Sequence, residues 1–328
     1  MTKPITRARQ FALAAALVTF AAPAAAETFI VAVGAARNSL QGRSAELFAT
    51  ELQERLGDAH TIEFYADAQL GDERELMQKL RTGTVHLTLL SSIMTTVSDE
   101  FALFDLPFLV ADRDHVKRLH ENLVMTDLAP LAEERGLQVL STWENGFRQI
   151  TNNIRPVTVP GDMAGMRIRT PPSEWRVAMF NEYGANASAM AWSELFVALQ
   201  TGTMDGQENP LTNIDGGNLY EVQRYLSMSG HVYSPTYLTS GVRVWNNMPE
   251  EVREAVIEVA AMVQDWSLAE GEAADVALLE KFEAEGMHIN TVDREAFVAA
   301  SAPIYELFSQ RVDGAAEMIE TALSLAEE

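Results

Sequence analysis

The sequence predicts a two-lobed α/β protein, and three observations carry that expectation. Strand-like and helix-like segments alternate through the first third of the chain, which implies parallel pairing with helices laid on the sheet faces. The chain past its N-terminal leader runs to about 300 residues, more than one core usually holds, so two lobes are expected. Composition is that of an ordinary globular protein, with 47% hydrophobic and 22% charged residues.

Residues 1–26 carry the marks of a secretory signal peptide. Lys3, Arg7 and Arg9 are basic, Phe11 to Phe20 is apolar, and Ala24-Ala25-Ala26 offers a small-residue cleavage site. The apolar run is shorter than the ~20 residues that span a bilayer, and no later segment qualifies. The mature chain is therefore expected to start at Glu27 and to work in a Gram-negative periplasm. No Cys opens it, which argues against a lipoprotein anchor.

Thr28 to Val33 reads as a buried strand. A helix follows over about 44–56, with Leu47, Phe48, Leu52 and Leu56 on one face. Thr61 to Tyr65 is a second strand. Asp72 then caps a short helix that carries Leu76 and Leu80 and stops at Gly83. Val85 to Leu90 is a third strand. Asp105 to Leu109 is an apolar loop or edge, Val116, Leu119, Leu123 and Leu128 mark a helix, and Leu137 to Leu140 is a strand. Asn152 to Pro160 is rich in turn formers and is the expected crossing to the second lobe. There, Met166 to Thr170 forms a strand ended by Pro171-Pro172, Trp175 to Tyr183 a helix, and Ser193 caps a helix over Glu194 to Gln200. From Pro249 apolar residues keep helical spacing to about Glu285, weakened only at Gly271. A helix of about 36 residues would be ~54 Å long. Two helices broken near Gly271, a coiled-coil arm, or one helix lying across both lobes all satisfy this pattern. The first lobe is expected to comprise 27–146 with about 235–270, and the second about 147–234 with about 271–328.

Charge and chemistry narrow the function. The chain has no cysteine, which excludes thiol catalysis and thiolate metal sites. Net charge is −23, and −26 once the three basic leader residues are removed. Such a surface repels nucleic acid and anionic lipid, and any anion site in it must be locally positive and shielded. The six histidines show no metal-binding spacing, and no nucleophile elbow, P-loop or dinucleotide fingerprint is present.

The run from Gly165 to Pro210 is the most informative. Arg169 sits in a short strand, where alternation turns Arg167 to the opposite face. Its planar fork matches a carboxylate through two charge-assisted hydrogen bonds. A surface arginine paired with one of many acids is the bland alternative. After a helix come Asp205-Gly206-Gln207-Glu208-Asn209-Pro210, rich in hydrogen-bonding groups and without a nucleophile.

This run, Gly165-Met166-Arg167-Ile168-Arg169-Thr170-Pro171 together with the downstream Asp-Gly-Gln-Glu-Asn-Pro, resembles the signature of TRAP-transporter solute-binding proteins, the DctP family. The resemblance extends over nearly the whole mature chain. It implies a flytrap-type periplasmic binding protein with a long helix spanning both lobes, no cofactor and no catalysis. Arg169 would clasp a ligand carboxylate, and Arg148, in Trp143-Glu144-Asn145-Gly146-Phe147-Arg148, would be the second basic contact. Asn209 would hydrogen-bond the ligand, since an amide both donates and accepts. Glu208 and His231 would buttress the carboxylate-binding arginine. Trp192 occupies a place where the family often has phenylalanine against the ligand, with packing in the core as the alternative. Ser91 follows the third strand, where α/β sheets present ligand contacts, and Tyr237 completes the candidate set.

Pro172 and Ser91 stand where the sialic-acid branch has polar and acidic contacts, and the segment 205–209 differs from the oxo-acid branch that holds a cation. Two arginines and an asparagine fit a hydroxylated monocarboxylate such as a uronate or aldonate. A C4-dicarboxylate fits as well, and Trp192 with Trp175 leaves room for an aromatic acid. The resemblance implies a monomer that delivers its ligand to the small and large subunits of a TRAP permease. A binding protein for an ABC-type importer, or a periplasmic hydrolase or isomerase of sugar acids, are the alternatives.

Overall fold

The computed structural model describes residues 27–327, so the expected signal peptide at 1–26 lies outside the described residues. The first half opens with β1 (Glu27–Ala32), α1 (Leu40–Leu56), β2 (His60–Tyr65), α2 (Glu73–Thr82) and β3 (Leu87–Leu90). β1 pairs in parallel with both β2 and β3, as the strand–helix alternation requires. Local chemistry fixes the helix ends. Asp72 and Glu75 form a reciprocal capping box at the start of α2, and Gly83, at φ +79°, closes it. Ser39 caps α1 four residues earlier than the apolar pattern suggested, accepting from the Gly42 N–H at 3.1 Å.

Two 3₁₀ turns, Ser92–Thr96 and Asp99–Asp105, lead into α3 (Arg113–Leu119), a π-helical stretch His120–Leu128, and α4 (Ala129–Glu134). β4 then runs from Leu137 to Asn152, far beyond the four residues expected of it. That length joins the molecule. Its earlier part pairs antiparallel with β9 (Tyr233–Gly241), and its last residues pair with β7 (Gly206–Pro210) and β8 (Tyr225–Met228). The register slips near Glu144, where Gly146 at φ +122° adopts a conformation few other residues reach.

The second half adds β5 (Arg167–Thr170), α5 (Glu174–Glu182), β6 (Asn186–Ala189), α6 (Trp192–Gln200) and α7 (Leu211–Gly216). β5 pairs in parallel with β6 and β7, so the sheets are mixed. Ser193 does not cap α6. The helix opens at Trp192, so Ser193 lies inside its first turn and the cap is Ala191, without a side-chain bond.

After α8 (Val242–Asn247), α9 is one unbroken helix of 35 residues, Glu250–Ala284, which resolves the three readings of that stretch. Val252, Val256, Val259 and Val263 pack with Phe48 and Trp143 in the first core, and Phe282 packs with Leu195, Leu199 and Ile214 in another. The helix therefore spans both lobes. It is tied to β4 by the Trp143 indole donating to the Ala260 carbonyl at 3.0 Å and by the Glu144 N–H donating to Ser267 Oγ at 3.0 Å. β10 (His288–Thr291), α10 (Arg294–Ala300), α11 (Ala302–Arg311) and α12 (Ala315–Ala326) end the chain. α12 packs on α3 and the 99–105 turn, and α11 packs on α5, so these last helices touch both halves. No helix among the described residues is long and apolar enough to cross a membrane.

Candidate binding cleft

A cavity of about 250 Å³ opens between elements of the two halves. Gly34, Gln41, Asp72, Glu73 and Ser91 line it from the first. Arg148, Arg169, Trp192, Asn209 and Asn213 line it from the second. Five of the six expected contact residues, Ser91, Arg148, Arg169, Trp192 and Asn209, thus come together.

Arg169 is 2% exposed. Strand alternation does as expected, for Arg167 points to solvent and pairs with Asp205 at 2.5 Å. The Nε and Nη2 groups of Arg169 donate to the Met190 carbonyl at 3.0 and 2.7 Å. The rest of its guanidinium has no carboxylate partner among the described residues. Burial, and then the neighbouring Arg148, push its pKa down to about 9, which leaves it a cation at neutral pH. A buried, half-satisfied cation is expensive, and an incoming carboxylate would relieve it.

Arg148 is held differently. Its Nε and Nη2 donate to the Glu208 carboxylate, Nη2 at 3.0 Å, and Nη2 also reaches Asn209 Oδ1 at 3.0 Å. Glu208 also accepts from Arg176 Nη1 at 2.8 Å and from His231 Nε2 at 3.2 Å. Burial alone would raise the Glu208 pKa. Arg148 and Arg176 overcome it and hold the group well below the carboxylate range. Burial keeps His231 neutral, so its Nε2–H donates to Glu208 while Nδ1 lies 2.7 Å from the Ser229 hydroxyl. Glu208 and His231 thus buttress Arg148, not Arg169 as expected. The register explains it. β7 places Glu208 opposite Ile150 of β4, whereas Gln207 lies beside Arg169 of β5.

Asn209 is drawn into the wall as well, donating to Gln207 Oε1 and accepting from Asn213 at 3.3 Å. The Trp192 ring lies over Gly217, where a Cβ would come within 2.8 Å of it. Tyr237 does not reach the cavity. It is 2% exposed and packs edge-on against Phe101 and Phe104, behind Ser91.

Three charged residues in and behind the cleft left their place unannounced in the sequence. Glu73 accepts from the Ser91 N–H and hydroxyl at 3.0 and 2.7 Å, so it shares the first-half wall with Ser91. Burial raises its pKa. Arg176 and Asp105 pair at 2.5 Å in full burial. Arg176 leaves a trace even so, because it shares the buried face of α5 with Met179 and Phe180 at helical spacing. The cleft thus offers fixed cations, amides and the carboxylates of Asp72, Glu73 and Glu194. His231, the histidine nearest the arginines, is neutral and turned into the wall. No group of three or more metal-ligating side chains occurs among the described residues.

Known proteins resemble this chain along most of its length. The family model for bacterial extracellular solute-binding protein, family 7 (DctP), matches residues 31–311. A solute-binding protein of Verminephrobacter eiseniae is 33% identical over 305 residues, 92% of this chain and 91% of its own. A TRAP periplasmic solute binding protein from Bordetella bronchispeptica, its density interpreted as pantoate, superposes with a TM-score of 0.86 at 32% identity, covering 91% of this chain and 99% of the other. The sugar acid binding protein of Advenella mimigardefordensis, in complex with galactonate, gives 0.88 at 27% identity, covering 92% and 98%.

Proposed function

The chain belongs to the family 7 bacterial extracellular solute-binding proteins, and from that premise we propose that it captures a hydroxylated monocarboxylate, such as a sugar acid, in the periplasm and hands it to a TRAP-type permease. The observation that carries this is Arg169, a buried cation facing the cleft with no carboxylate of its own. Arg148 and Asn209 supply a second cationic and amide wall, and Trp192 the apolar side. Opposite them, Glu73 and Gln41 suit ligand hydroxyls, which can donate to a carboxylate and exchange hydrogen bonds with an amide. Galactonate in a similarly folded relative has that chemistry. A second ligand carboxylate would lie near Glu73, which favours a monoanion over a dicarboxylate.

In this reading the lobes, 27–146 with about 235–270 and about 147–234 with about 271–328, close over the ligand because it touches both. The C-terminal helices bridge them. Residues 1–26 act as the secretion signal, and the mature protein works as a monomer without catalysis.

The test is a thermal-shift screen of the mature protein against aldonates, uronates, C4-dicarboxylates and aromatic acids. A ligand at ~100 times its Kd stabilises by ~2.7 kcal/mol, which such a screen detects readily. A sugar acid should lead. Chemical turnover of the bound acid, or stabilisation by none of the acids, would defeat the proposal.

A further inference from the structure

Behind the cleft a line of buried charges runs from one half to the other. Asp105 ends the 3₁₀ turn that packs on β9, in the first half. It accepts from the Ser173 hydroxyl and from Arg176 Nη2, each at 2.5 Å. Arg176, on α5 of the second half, reaches on to Glu208 Oε2 at 2.8 Å, and Glu208 clamps Arg148. All four side chains are 5% exposed or less. In this wall three guanidiniums, Arg148, Arg169 and Arg176, face two carboxylates, Glu208 and Asp105.

Without Arg176, Glu208 would have only Arg148 as a charged partner. The pair would then approach neutrality, and the cleft would lose most of one cation. With Arg176 in place the Glu208 charge is divided between two guanidiniums. Asp105 anchors Arg176 from the far side and weakens its hold on Glu208 in turn. We propose that Arg176 is a positioning residue for the anion site: seated on Asp105, it shares Glu208 with Arg148 and leaves positive charge on Arg148 for the ligand carboxylate. This rests on the reading of the cleft as a carboxylate site.

The proposal makes a signed prediction. Arg176→Met and Asp105→Asn each break a buried pair, so both should lower the melting temperature. Their effects on affinity should be opposite. Arg176→Met leaves Asp105 uncompensated and Glu208 concentrated on Arg148, and should weaken binding at least about tenfold. Asp105→Asn removes a negative charge and turns Arg176 wholly onto Glu208, and should tighten binding about threefold or more. Arg176→Lys keeps the charge and should recover much of the loss. Calorimetric titration with D-galactonate or D-glucuronate, whichever stabilises the parent more, reads all three.

Affinities that fall together in both variants, or that do not move, would show a merely structural pair and overturn the proposal. If Arg176→Met fails to fold, the sign of the Asp105→Asn effect decides alone. A second arm needs no ligand: in Arg176→Lys the Arg148 Nε proton, followed by NMR, should exchange at least about tenfold faster than in the parent, because a single ammonium cannot bridge Asp105 and Glu208 as the two ends of the guanidinium do. A parent that binds no acid would sink the functional reading, and the exchange rate would still decide the role of Arg176, an unchanged rate refuting it.

Discussion

At the scale of single residues, the cleft is a place where stability was set against recognition. Arg169 is buried with part of its guanidinium unmatched. Replacing it by Met should weaken the best ligand by at least ~2 kcal/mol, because a buried carboxylate would lose its charged partner. The ligand-free protein should melt no lower than the parent, since an uncompensated buried charge is removed. A variant that melts lower yet binds normally would contradict both statements. Glu144 makes a different point. It is fully buried, bonded to Arg113 at 3.0 Å and to Tyr233, and burial pushes its pKa up to about 7 from 4.5. The folded state then holds that proton more tightly than the unfolded chain does. The contribution is complete below about pH 4.5 and is lost as pH rises through 7. Glu144→Gln should therefore flatten the stability profile between about pH 5 and 8 by ~2 kcal/mol, measured by urea unfolding at each pH. Arg169, Arg148, Asn209 and Trp192, which line the cavity, were legible through the motifs that carry the family resemblance. The partner of each arginine was not, because strand register decides it, and register is a property of three strands at once.

At the scale of elements, the sequence showed helices and parallel strands with apolar runs, and hid the rest. β7, the strand that carries Glu208 and Asn209, reads Gly-Gln-Glu-Asn-Pro and has no hydrophobic signal at all. All five of its residues are buried, and the three polar ones, Gln207, Glu208 and Asn209, are satisfied by side-chain hydrogen bonds rather than by apolar packing. β4 looked like four residues because its continuation, Ser141 to Asn152, is mostly polar yet buried, with only Trp143, Phe147 and Ile150 as scattered apolar residues. α9 shows the reverse error. Gly271 looked like a weak point in a long helix, and it is instead where the helix presses on β4. A Cβ there would lie 2.7 Å from Glu144 Cγ. Helix propensity alone predicts that Gly271→Ala stabilises by ~1 kcal/mol. The contact predicts that it destabilises by ~1–3 kcal/mol, since the buried Glu144 cluster has nowhere to move. Denaturant midpoints decide between them, and a gain in stability would mean that the helix is free to lift off the strand.

At the scale of the whole molecule, the chain carries −23 and the proposed ligand is an anion, so attraction in the cleft and repulsion at long range oppose each other. They respond differently to salt. Charges at the surface act across solvent, where the screening length falls from ~30 Å at 0.01 M to ~8 Å at 0.15 M ionic strength. Arg169 and Arg148 are each 2% exposed and act over contact distances that mobile ions do not enter. Added salt should therefore remove the barrier to encounter while leaving the bound complex nearly untouched. The association rate for a sugar acid should rise about twofold or more between those ionic strengths, and the dissociation rate should change much less. This is opposite to the behaviour of proteins that steer their ligands electrostatically. Trp192 lines the cavity and supplies a fluorescence signal for stopped-flow measurement. An association rate that falls with salt would mean that the field of the arginine wall reaches beyond the cleft mouth and outweighs the acidic surface around it.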